Sequence, residues 1–281
     1  MPSFPRRRPL APFEGRSDQV AQRLLVEQWQ RRRHLGMPAP AWATIGFGAY
    51  SANDEDGILL YLFDLAGTTN RILVDIGSAL PHGANSTNLL VNWGWTGVLV
   101  EGDPTVAAEA RTWFAAHPQL PWPPTLLTAW VEPAGIDAFL AERGLVGEVD
   151  LLLIDIDGVD LWLWDELTVL EPRVVVVEYS HFWGPHRSVS VPRDVDVRPG
   201  HPVDPLYCSA SLAAYITVGR RKGYRLVAVD GRRFNAFFAR DDVAHELLPE
   251  LSAEEAFARP STFGSVPSWS AEGLPGRWVE V

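Results

Sequence analysis

Residues 150–179 read DLLLIDIDGVDLWLWDELTVLEPRVVVVEY, and two apolar runs within them end abruptly in acids. The run Leu151 to Ile154 gives way to Asp155 and Asp157, and the run Val174 to Val177 gives way to Glu178 and Tyr179. Short, wholly apolar, partly β-branched runs bounded by turn signals read as strands buried on both faces. In open α/β sheets ligands bind beyond the carboxyl ends of the strands. Two carboxylate groups on neighbouring strand ends therefore predict an active-site floor.

From Arg71 onward, strand and helix patterns alternate. RILVDIG, GVLVEGDP, PTLLTAWV, VDLLLIDID and RVVVVEYS read as strands, separated by helical stretches of about ten residues. That alternation implies right-handed crossovers and a Rossmann-like, doubly wound, mainly parallel α/β sheet. YRLVAVDG and FNAFFAR, only a few residues apart, predict a C-terminal antiparallel hairpin. Before the sheet, residues 1–47 read as an N-terminal arm carrying a helix capped at Ser17. The main domain is expected over 48–243 and a helical or irregular tail over 244–281. Residues 182–207 contain Pro, Arg and His without periodicity, which predicts a long active-site loop.

With 281 residues, 47% of them hydrophobic, the chain can bury a sizeable core. A net charge of −11 argues against a nucleic-acid-binding surface. The single cysteine, Cys208, excludes an internal disulfide and any multi-cysteine zinc site, which fits a reducing, cytoplasmic setting. No apolar stretch approaches membrane-spanning length, and no apolar core follows Arg6–Arg8 as a signal peptide requires. His82, His181, His186 and His201 show no zinc-binding spacing. Cys208 is expected to pack.

The first strand leads into Asp75-Ile76-Gly77-Ser78 and the second ends at Glu101-Gly102-Asp103. In nucleoside sites of this topology, a glycine past the first strand admits the ligand and an acid ending the second accepts from the ribose hydroxyls. The stretch DIGSALPHGANST lacks the G-x-G-x-x-G turn, which disfavours a nicotinamide dinucleotide and favours an adenosine ligand without pyrophosphate, S-adenosylmethionine first. An oxidoreductase using nicotinamide, or an adenosyl-binding protein with altered chemistry, is the alternative.

Several motifs together resemble an FkbM-like group of class I S-adenosylmethionine-dependent methyltransferases. They are Asp54-Glu55-Asp56-Gly57, Val74-Asp75-Ile76-Gly77, Asn85-Ser86-Thr87-Asn88-Leu89, the run Gly94 to Pro104, Asp155-Ile156-Asp157-Gly158 and Val177-Glu178-Tyr179. The resemblance spans roughly residues 48–243. It implies a seven-stranded sheet and methyl transfer to a small molecule, with a hydroxyl of a sugar, nucleoside or other secondary metabolite as acceptor. By the same resemblance, Asp75 and Gly77 line the cofactor's methionine and Glu101 holds its ribose. Ser78, Asn85, Ser86, Gly102 and Asp103 lie on the same loops and are expected on the cofactor side. Trp130 either flanks the adenine or belongs to the core. Pro81 and His82 stand where methyltransferases at large have a short glycine turn.

Three roles stay open for the acidic floor. Asp155, Asp157 and Glu178 could gather Mg²⁺, whose preference is for hard oxygen ligands. One of them, or His181, could act directly as base. Otherwise Asp157 and Asp160 merely turn the chain into the next helix and cap it. Trp162 and Trp164 are expected to pack on the sheet, and Trp183 in the long loop to line an acceptor pocket. Residues 1–45 could reach a neighbouring copy in a homo-oligomer.

Overall fold

The two apolar runs form the middle of a seven-stranded sheet. The computed structural model describes residues 17–117, 120, 123–195, 207–259 and 275–281. In chain order the elements begin with α1 (Ser17–His34), α2 (Glu55–Ala66), β1 (Ile72–Ile76), α3 (Thr87–Trp93), β2 (Thr96–Glu101) and α4 (Pro104–Ala116). Then come β3 (Thr125–Thr128), α5 (Ile136–Ala141), β4 (Gly147–Ile154), α6 (Asp160–Glu166), β5 (Leu170–Glu178) and β6 (Val189–Ser190). The chain continues through α7 (Leu212–Arg221), β7 (Tyr224–Val229), β8 (Asn235–Arg240), α8 (Ala253–Ala258) and β9 (Val279–Glu280).

The strand order is β3-β2-β1-β4-β5-β8-β7, with β1 to β5 parallel and β8 antiparallel to both neighbours. The Rossmann-like α/β architecture and the terminal hairpin are thus as expected, with β8 inserted between β5 and β7. Period-two alternation divides the core. Leu152, Ile154, Val175 and Val177 face Leu161, Trp164, Leu212 and Tyr215 on one side of the sheet. On the opposite side, Leu151, Leu153, Val174 and Val176 face Leu59, Leu62, Leu90 and Phe114. Burying each such side chain contributes about 1.5–3 kcal/mol.

The helix expected in the N-terminal arm is α1, and it folds back onto its own domain. Gln22 exchanges hydrogen bonds with Asn88 (3.0 and 3.1 Å), Arg33 pairs with Asp64 at 2.8 Å, and Trp29 meets Tyr61 edge-on. The arm residues 1–16 lie outside the described residues.

The described part of the long loop, residues 182–195 and 207, holds regular structure that its composition does not suggest. It opens with a 3-10 turn at His181–Trp183, and β6 within it pairs antiparallel with β9. Arg187 pairs with Glu280, Val281 N–H donates to Ser188 O, and Tyr207 hydrogen-bonds Arg277. The end of the tail therefore straps the loop. Trp162, expected only to pack, donates Nε1–H to Val191 O at 2.7 Å, and the Arg193 guanidinium lies over its ring. Trp164 sits in the core against Phe238, as expected. Residues 196–206, including His201, lie outside the described residues. No described helix is long and apolar enough to cross a membrane.

Candidate active site

All the parallel strands end at one edge, and the acids at their ends converge there. A cavity of about 630 Å³ opens beyond that edge, lined by Gly77, Glu101, Gly102, Trp130, Asp155, Asp157 and Glu178, among others. A smaller cavity of about 40 Å³ shares Gly77, Ala79 and Asp155 with it and reaches Asp75, Ser78, Asn85 and Asn235.

Gly77 has φ +86°, and a Cβ there would come within 1.6 Å of Asp155 O. Its N–H donates to Val100 O at 2.8 Å. The glycine is thus required by the approach of β4 to β1, which closes the floor between the two cavities.

Glu101 is held from two sides. Oε2 accepts from Ala79 N–H at 2.9 Å and Oε1 from Asp103 N–H at 2.8 Å. Its carboxylate is therefore fixed at the cavity wall, with further lone pairs for two vicinal hydroxyls. Beside it, the Trp130 ring lies against Gly102, where a Cβ would meet it at 2.5 Å. Trp130 is 47% exposed, follows β3 by two residues and lines the large cavity, so its position is that of a wall and not of a core residue.

Asp103 does different work. Its side chain accepts from Thr105 N–H and Val106 N–H, capping α4 with Pro104 at the first position, and it does not line either cavity. Ser86 is buried beside Asp75. Burial lifts the Asp75 carboxyl to about 7, with Ser86 acting against the rise and Glu101 adding to it. The unusual Pro81-His82 insert is pinned from outside: the His82 ring stacks on Tyr50 and meets Trp113 edge-on.

Asp155, Asp157 and Glu178 each present a carboxylate oxygen within 4.8 Å of the others. Asp157 adopts φ +54°, a left-handed backbone unusual for a residue other than glycine, and its side chain is exposed at the cavity. Glu178 Oε2 is buried with no hydrogen-bond partner among the described residues. Burial raises Glu178 to about 8, and the charges of Asp160 and Asp157 add to it. Asp155 is pushed well above the ordinary carboxylate range, first by burial and then by Glu178. Asp160 has the structural role open to it: it accepts from Ile156 N–H and Gly158 N–H, both at 2.8 Å, and tightens the turn.

His181 does not join the carboxylates. It is buried between Phe182 and Phe234 and lines neither cavity. Burial and the nearby Arg233 charge lower it to about 4, so it is neutral. Trp183, expected at the acceptor pocket, instead packs on Trp278. His186 pairs with Glu254. Cys208 is half-buried near the acids, where burial and then Glu178 raise its thiol. Arg193, Asp194 and Val195 also line the large cavity, and the aperiodic sequence did not single them out. Arg193 is tied to Glu166 and Asp165 on α6.

No family model matches the sequence, and among curated proteins no relative is found. Solved structures give remote likenesses. The N-terminal domain of EvdMO1 with S-adenosylhomocysteine bound is 14% identical, with a TM-score of 0.45, covering 76% of this chain and 95% of that one. Magnesium protoporphyrin IX methyltransferase from Synechocystis PCC 6803 with bound S-adenosylmethionine is 12% identical at 0.42, covering 82% and 100%. The CcbJ methyltransferase from Streptomyces caelestis is 15% identical at 0.42, covering 69% and 99%. At such distances the activity has to be argued from the site.

Proposed function

We propose that the protein is an S-adenosylmethionine-dependent methyltransferase acting on a hydroxyl of a small molecule such as a sugar or nucleoside. The observation that carries this reading is Glu101, a carboxylate fixed by two backbone amides on the wall of a cavity roomy enough for adenosine. Trp130 supplies an aromatic face beside it. Residues 77–86 separate β1 from α3, so no tight turn delivers a helix N-terminus to a pyrophosphate, which counts against a nicotinamide dinucleotide.

On this reading the acceptor enters past Arg193 to Val195 and meets the methyl group near Asp155, Asp157 and Glu178. The acceptor oxygen forms the new C–O bond as the C–S bond breaks, and the pair of electrons goes to sulfur. Positioning supplies most of the rate. The acceptor proton passes to one of the carboxylates, and a carboxylate raised toward neutrality by burial is a better base than an ordinary one. Three carboxylates so close also suit a divalent cation such as Mg²⁺, which would relieve their repulsion and acidify a bound hydroxyl. Asp155, Asp157 and Glu178 are the residues that would hold it.

Methyl-labelled S-adenosylmethionine with a panel of hydroxylated acceptors tests the reading. Label transfer that is lost in Glu178→Gln supports it, and transfer unaffected by both Glu178→Gln and Asp155→Asn contradicts the carboxylate mechanism. A cation is tested by thermal unfolding: Mg²⁺ should raise the midpoint of the unaltered protein and not of Asp157→Asn. Full activity after exhaustive chelation contradicts it.

A further inference from the structure

Charge in the large cavity is almost all of one sign. Glu132, Asp155, Asp157, Glu166, Glu178 and Asp194 line it beside Glu101, and Arg193 is the one base among the described lining residues. Arg193 is already engaged: Asp165 at 2.9 Å and Glu166 hold its guanidinium, which lies over the Trp162 ring. Glu166 and Asp194 are partnered in turn, the first by Arg193 and the second by Arg277 at 3.4 Å. Asp155, Asp157 and Glu178 have no such partner. The charged groups acting most strongly on Asp155 and Glu178 are other acids, Asp157 and Asp160 among them. Glu178 lines the cavity, yet its Oε2 is buried with no hydrogen-bond partner among the described residues. A phosphate or carboxylate entering here meets acids and no free cation, which opposes its binding.

The three unpartnered acids are spaced for a single nitrogen. Each offers an oxygen within 4.8 Å of the other two. Three points so spaced share a point no farther than 4.8/√3 from each, about 2.8 Å, which is the length of a charge-assisted N⁺–H···O⁻ bond. A primary ammonium group has three N–H donors and one positive charge, so at that point it gives one donor to each carboxylate. The fold sets the spacing before any ligand arrives. Asp155 follows β4 and Glu178 ends β5, and the two strands pair in parallel up to Ile154 opposite Val177. Asp157 stands on the turn whose flanking amides, Ile156 N–H and Gly158 N–H, are both held by Asp160.

We propose that the methyl acceptor is a cation: a hydroxylated small molecule of the amino-sugar or aminocyclitol class, whose protonated amine sits among Asp155, Asp157 and Glu178. This rests on the methyltransferase reading and narrows its acceptor. Held protonated, the nitrogen has no lone pair with which to attack the methyl group. It is therefore a handle, and a neighbouring hydroxyl is the acceptor atom. The hydroxyl oxygen gains the methyl group, sulfur takes the electron pair of the C–S bond, and a carboxylate takes the hydroxyl proton. Three carboxylates outnumber the one positive charge, so a base remains for that proton. Phosphorylated and carboxylated molecules are excluded as acceptors.

Calorimetric titration of the S-adenosylhomocysteine complex tests this, at neutral pH and with a chelator present, since Mg²⁺ would compete for the same oxygens. The probes are two amines with their hydroxyl counterparts, glucosamine against glucose and trans-2-aminocyclohexanol against trans-cyclohexane-1,2-diol, together with glucose 6-phosphate. Each amine should bind about tenfold more tightly than its counterpart, or better, and glucose 6-phosphate no more tightly than glucose. In Asp157→Asn, whose side chain is exposed, that preference should fall about fivefold, with S-adenosylhomocysteine binding to report a folded protein. Should that variant not fold, Glu178→Gln is read in its place. Amines that bind no more tightly than their counterparts overturn the inference without any variant, as does tighter binding of the phosphate or an undiminished preference in a folded variant. Any of these results beside firm S-adenosylhomocysteine binding leaves the methyltransferase reading standing. Failure of S-adenosylhomocysteine to bind the unaltered protein overturns that reading, and the inference with it.

Discussion

Replacing Glu101 by Gln tests the ribose site through hydrogen bonds that the protein already makes. Both carboxylate oxygens accept from backbone N–H groups, Ala79 on one side and Asp103 on the other. A glutamine amide must therefore turn its NH₂ toward one of those donors, whichever way it flips. In the free protein water can reach this partly exposed group, so the loss of stability stays near 1 kcal/mol. In the complex the effect is larger. The ribose loses one charged acceptor outright and the other becomes neutral, and hydrogen bonds to charged groups contribute about 1.5–3 kcal/mol each. A net loss of about 2–4 kcal/mol corresponds to roughly thirty- to several-hundredfold weaker binding of S-adenosylhomocysteine. Calorimetric titration of both proteins, with their melting curves, measures the two effects separately. A folded Glu101→Gln protein that binds within about threefold of the unaltered one refutes the assignment of Glu101 to the ribose.

Three other outcomes are expected. Asp150→Ala should destabilise by about 3 kcal/mol or more in chemical denaturation, because it strips Arg173 and the Thr69, Asn70 and Arg71 amides of a shared buried acceptor; a change under about 1 kcal/mol contradicts this. Lowering the pH from about 8 to about 6 should raise the melting temperature of the ligand-free protein, since Asp56 and Asp160 are lifted to about 6, Asp75 and Asp230 to about 7 and Glu178 to about 8, all chiefly by burial. The folded state then binds protons more tightly than the unfolded chain across that window, and a fall in melting temperature there opposes the account. Deleting residues 275–281 should release β6, making the loop near Arg187 sensitive to limited proteolysis while S-adenosylhomocysteine affinity changes little; unchanged protease resistance argues against the strap.

The sheet was legible because its strongest signals are local. Two runs buried on both faces, the helices between strands and a short hairpin connection specify neighbours without long-range information. The carboxyl-edge rule then placed Glu101, Asp155, Asp157 and Glu178 together. What escaped depends on contacts between residues far apart in the chain. β6 and β9 are two residues each, too short for periodicity, and they pair from opposite ends of the C-terminal third. Asn235 reaches the site only because β8 runs against its neighbours, so its first residue, not its last, meets the active edge. His181 and Trp183 follow a strand end, yet turn toward Phe234 and Trp278. Asp103 carried a readable signal: an acid followed by proline marks a helix N-cap, and capping is what its side chain does.

Two titrations of the unaltered protein at neutral pH, one with S-adenosylhomocysteine and one with NAD, test the proposed cofactor most directly. Saturable binding of S-adenosylhomocysteine at one site per chain, with no heat from NAD, is the predicted result. Binding of NAD without S-adenosylhomocysteine would contradict it.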